Sequence, residues 1–115
     1  MIFPKNYEFM ETFGIEPIEE DSSISLCRYI KKAKNNELEI DISFSATMKS
    51  FQVVLRLSGQ EISTISSECV HSIKIVSDNL GAGLHVVFDI SGTISEARVM
   101  LEPDIGFRWW TLSDA

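Results

Sequence analysis

The side chains that could make bonds or hold metals are few, and none is spaced to act with another. His71 and His85 are the only histidines, and Cys27 and Cys69 the only cysteines. A zinc site needs three or four converging ligands, and four widely separated residues offer no ligand spacing. Nucleophilic catalysis needs a base within hydrogen-bond reach of a Ser or Cys, and neither histidine lies in a nucleophile motif. Gly81-Ala82-Gly83 lacks the following helix that a phosphate cradle requires, so it reads as a turn. Paired acids for glycoside chemistry would be two among many carboxylates, none set apart from the rest. The expectation is a protein that is not an enzyme and has no cofactor or metal site.

Negative charge is what the sequence concentrates. In Glu37-Leu38-Glu39-Ile40-Asp41-Ile42-Ser43-Phe44, apolar residues take every even position and polar ones every odd position. Successive strand side chains point to opposite faces, so the segment buries one face and shows Glu37, Glu39 and Asp41 on the other. Neighbouring carboxylates along such a strand sit about 7 Å apart and repel, which makes the strip a candidate docking surface. Glu16, Glu19, Glu20 and Asp21 bring the total to seven carboxylates within 26 residues. If this loop and strand approach each other, they form one negative surface able to mimic a phosphate backbone. Two blander readings stand beside this: the loop is a solvated loop, and the strand acids pair with Arg28, Lys31, Lys32 and Lys34 across a hairpin.

Trp109 and Trp110 cannot both enter one core from a strand. Ile105, Phe107 and Trp109 share an inward parity, which leaves Arg108 and Trp110 outside. An exposed Trp beside Arg is a pairing enriched among interface hot spots. Alternatively, Trp110 lies beneath another part of the fold, such as the N-terminal helix.

These residues need elements to hold them. Pro4 suits a first helical turn and Gly14 a helix stop, predicting a helix over about 4–13. Tyr7, Phe9, Met10 and Phe13 occupy one broad arc of it, opposite Lys5, Glu8, Glu11 and Thr12. Residues 15–23, with Pro17 and three consecutive acids, read as a loop. From Ile24 the period becomes two, giving candidate strands at 24–33, 37–46, 51–57, 61–67, 70–77, 84–91, 94–101 and 105–112. Their connections are too short for helical crossovers, so sequential antiparallel pairing is expected. The fold class is mainly β: a seven- or eight-stranded antiparallel sandwich or barrel with one N-terminal helix, as a single domain over 1–115.

The formal net charge of −7 is unevenly placed. Glu8, Glu11, Glu16, Glu19, Glu20 and Asp21 face only Lys5 over the first 21 residues. This balance argues against nucleic acid, whose binding is driven by counterion release onto clustered Lys and Arg. It favours a basic protein partner, since a field of one sign speeds encounter with the opposite sign. No apolar run approaches a membrane span and no signal-like start is present, so a cytoplasmic protein with reduced cysteines is expected.

In size, acidity, cytoplasmic character and lack of a catalytic motif, the chain resembles the immunity proteins of bacterial contact-dependent growth inhibition and related toxin systems. The resemblance is one of profile, without a shared motif, and transfers no functional residue. It implies a cognate basic toxin, a nuclease domain, held through complementary charge with an aromatic anchor. On that reading the contact residues are Glu16, Glu19, Glu20, Asp21, Glu37, Glu39, Asp41, Arg108 and Trp110. Two further readings remain open: a barrel carrying an apolar ligand, and an adaptor that pairs through a sheet edge.

Overall fold

A computed structural model describes residues 2–111. It contains one helix, α1 (Asn6–Phe13), and nine strands: β1 (Glu19–Asp21), β2 (Leu26–Lys32), β3 (Leu38–Ser45), β4 (Ser50–Leu57), β5 (Gln60–Ser67), β6 (Val70–Asp78), β7 (Gly81–Ile90), β8 (Thr93–Glu102) and β9 (Gly106–Thr111). The strands form two antiparallel meanders, β1-β2-β3-β4-β5 and β6-β7-β8-β9. Sequential antiparallel pairing thus holds throughout, and the choice between sandwich and barrel falls to a sandwich. The expected strand over 105–112 is observed as Gly106–Thr111; Leu112 lies outside the described residues.

Turn chemistry sets much of this order. Ser58-Gly59 joins β4 to β5 with φ of 51° and 81°, and Ser91-Gly92 joins β7 to β8 with 54° and 84°. Positive φ at both central residues gives the two-residue turn whose twist matches that of paired strands. The run Gly81-Ala82-Gly83, expected to be a turn, instead opens β7. A Cβ on Gly83 would lie 1.9 Å from the Val99 carbonyl oxygen, so glycine is there for close backbone approach.

β1 departs from the expected loop at 15–23. All three of its residues are exposed, so no apolar alternation marks it. Register marks it instead: Glu19 pairs with Arg28, and the Ile18 N–H donates to the Arg28 carbonyl at 2.8 Å. A short, wholly acidic edge strand also resists pairing with other chains.

Between the sheets the packing is aromatic. Phe51 meets Phe88 edge-on at 6.2 Å, and Phe88 stacks on Trp109 at 4.5 Å. Lys31 reaches across the layer to Glu102 at 3.2 Å. The space that a ligand carrier would need is filled by Phe9, Tyr29, Phe44, Phe51 and Phe88, all buried.

The N-terminal segment ties the two sheets together. Ile2 bridges Ser72 in parallel, and its carbonyl accepts the Ile73 N–H at 2.8 Å. Pro4 precedes the helix and is not in its first turn, since Lys5 is the N-cap; Gly14 ends the helix at φ 66° as expected. The aromatic arc divides: Phe9 and Phe13 are buried, whereas Tyr7 and Met10 are 59% and 43% exposed. Phe9 stacks on Tyr29 at 3.9 Å. The buried Tyr29 hydroxyl donates to Asn6 Oδ1 at 2.7 Å, and burial, more than the nearby Cys27 and Glu20, raises the phenol's pKa. Tyr29→Phe should therefore cost about 1 kcal/mol, the net value of one hydrogen bond, in urea titrations monitored by Trp fluorescence. No loss at all would mean that Asn6 finds an equal partner in water.

Candidate docking surface

The period-two division of β3 is as expected on its apolar side, with Ile40, Ile42 and Phe44 at 0%, 1% and 3% exposure. On the other side the free anionic strip does not exist. Asp41 is only 4% exposed. Register puts it between Ile30 and Val54, and Arg28 and Arg56 converge on it from the neighbouring strands. Arg28 donates through Nε at 2.9 Å and through its terminal nitrogen at 2.7 Å. Arg56 donates at 2.7 Å to the same carboxylate and at 2.9 Å to Glu39. Arg28 also meets Glu19 at 3.4 Å.

The outer face of β1–β5 is thus a charge ladder, Glu19–Arg28–Asp41–Arg56–Glu39, not a one-sign strip. Burial alone would raise the Asp41 pKa, but the two guanidiniums outweigh it and hold the carboxyl below its ordinary range. In return, the bond to Asp41 is the main cause of the upward shifts of Arg28 and Arg56. Of the four cations expected to pair with these acids across the hairpin, Arg28 does so, Lys31 reaches Glu102 instead, and Lys32 and Lys34 form no ion pair among the described residues, while Arg56 was missed. Its position on a strand was legible, and only the register could place it beside Asp41. Glu37 lies outside β3 in the turn and is exposed.

The acids before β2 fall into two groups. Glu19 joins the ladder, so this segment and β3 do approach one another through Arg28. Glu20 points the other way, where its carboxylate accepts a hydrogen bond from Asn6 Nδ2. Asp21 accepts the Ser23 N–H at 3.0 Å, and Glu16 is exposed on the run between Gly14 and β1.

Arg108 and Trp110 are far from these. They occupy the outer face of β6–β9, with the Arg108 guanidinium 5.8 Å from the centroid of the Trp110 ring. Trp110 is not under α1; its indole N–H donates to Glu96 at 2.8 Å, and Glu96 also meets His85 at 3.3 Å. The outer faces of a sandwich look in opposite directions. One flat partner cannot cover both Asp41 and Trp110, so the nine expected contact residues do not make one surface. Cys27 and Cys69 are free thiols. Among the described residues, no group of three His, Cys, Asp or Glu converges as a metal site, and no helix is long and apolar enough to cross a membrane.

No protein-family model matches the chain, and no curated protein matches it at a significant level. A solved structure does match: a chain of the contact-dependent growth inhibition toxin–immunity protein complex from Klebsiella pneumoniae 342. It is 27% identical, with 96% of each chain covered and a TM-score of 0.88. Over nearly its whole length, therefore, this chain resembles the immunity proteins of contact-dependent growth inhibition.

Proposed function

We propose that the chain is an immunity protein that binds and neutralises a basic toxin domain, a nuclease, in the cytoplasm of the cell that makes both. The observation that carries this reading is the likeness, across both sheets and the helix, to a chain of a toxin–immunity complex. Of the two roles in such a complex, the inhibitor's suits an acidic chain whose two histidines lie in no nucleophile motif of the sequence. The net charge of −7 supports a basic partner.

The test is to produce the polypeptide encoded by the adjoining gene, with and without this chain, in the same host. Rescue of growth and a 1:1 complex whose association slows steeply with salt are expected. Equal killing in the two strains overturns the reading. A partner that adds a strand to a sheet edge has one support, the edge strand β5, whose eight residues are mostly exposed and include Glu61 as their only charge. Association by that route would be nearly indifferent to salt, so the same kinetic measurement separates the two modes.

A further inference from the structure

We infer that the partner docks on the corner formed by α1 and the chain entering β1, and that this corner receives long cationic side chains, lysine or arginine, of that partner. The inference rests on the immunity reading and adds to it the surface and the chemistry.

Two concavities flank the hydrogen bond between Asn6 and Glu20. One has an apolar floor of Phe3, Pro4, Leu26 and Phe44, with Glu20 and Asp21 on its rim. The other is walled by Tyr7, Met10 and Pro17, with Glu16 and Glu20. Lysine and arginine bury an aliphatic stem while presenting a charged head, which fits an apolar floor with carboxylates at the rim. Lys5 also lines the first concavity and is the only cation among the first 21 residues.

The charges at this corner are also available. Among the described residues, Glu8, Glu11, Glu16, Glu20 and Asp21 form no ion pair with Lys or Arg, whereas Glu19, Glu39, Asp41, Asp78 and Glu102 each do. A carboxylate already held by arginine must lose that partner or share it, so it adds little to a new complex. The outer face of β6–β9 has no such excess of acid: Lys74, Arg98 and Arg108 there balance Asp78, Asp89 and Glu96, and Arg98 is already paired with Asp78. The corner is also fixed before binding: Tyr29 holds Asn6, and Asn6 holds Glu20. The exposed Tyr7 and Met10 then serve as apolar anchors within a ring of acid.

The experiment measures binding of the polypeptide encoded by the adjoining gene to four proteins. These are the unaltered chain, Y7A/M10A, E16Q/E20Q/D21N, and a control with the same loss of charge elsewhere, E68Q/D89N/D104N. Circular dichroism and melting confirm that each is folded. Y7A/M10A should weaken binding at least about 30-fold. E16Q/E20Q/D21N should slow association about tenfold and flatten its salt dependence, with the control within about twofold of the unaltered chain. If the corner variants bind as the control does, this inference falls and the immunity reading survives. If the unaltered chain neither binds nor protects, the immunity reading falls and takes the corner with it.

Discussion

Replacing Asp41 with asparagine should lower the unfolding free energy by about 3 kcal/mol at pH 7, measured by urea denaturation. Asp41 accepts three hydrogen bonds from two guanidiniums, at 2.7–2.9 Å, and is 4% exposed. Asparagine keeps the size of the side chain but removes the charge, and its amide nitrogen cannot accept from an arginine. The two guanidiniums then remain on a crowded sheet face without their shared anion. Arg28 and Arg56 keep 35% and 23% side-chain exposure, so water recovers part of their loss. That places the cost at the low end of what breaking a buried pair usually incurs.

The pH dependence follows from the downward pKa shift. A carboxylate whose folded pKa lies below its unfolded value stabilises the fold above the unfolded value and ceases to do so as pH falls through the folded one. The gap between the two proteins should therefore hold from about pH 7 to about pH 5 and narrow below about pH 4. A difference under about 1 kcal/mol at neutral pH would show that the ladder behaves as a surface ion pair.

This network marks where reading the chain without coordinates succeeds and fails. The inward rows of β3 and β7 were legible, because Ile40, Ile42 and Phe44 alternate with polar residues, Leu84, Val86 and Phe88 keep one parity, and both rows fill one interior. The turns at Gly59 and Gly92 fall in the gaps between expected strands, at 58–60 and 92–93. Which cation meets Asp41 was not: Arg56 is 15 positions away and reaches it only through the β3–β4 register. β1 was hidden because Glu19, Glu20 and Asp21 carry no apolar period. Trp110 was placed on the correct parity, but parity does not say what lies above a sheet.

The helix poses the same problem in smaller form. Tyr7, Phe9, Met10 and Phe13 share an arc broad enough that half of it can be buried and half exposed. Phe9→Ala should cost about 4 kcal/mol, since it removes a fully buried ring that stacks on Tyr29 and lies 6.0 Å from Phe44. An eight-residue helix does not persist on its own propensity, so its order depends on docking through Phe9 and Phe13. Amide exchange over residues 6–13 should consequently speed up well before the strands are affected. Tyr7→Ala, two residues away and exposed, should stay within about 0.5 kcal/mol of the unaltered protein. If the corner is the docking surface, the two variants separate cleanly. Tyr7→Ala weakens the complex without loosening the fold, whereas Phe9→Ala loosens the helix that presents Tyr7 and Met10 and weakens the complex as a consequence. A Phe9→Ala protein that keeps its exchange protection over 6–13 would show that β1 and the Asn6 hydrogen bonds, not the aromatic stack, hold the corner in place.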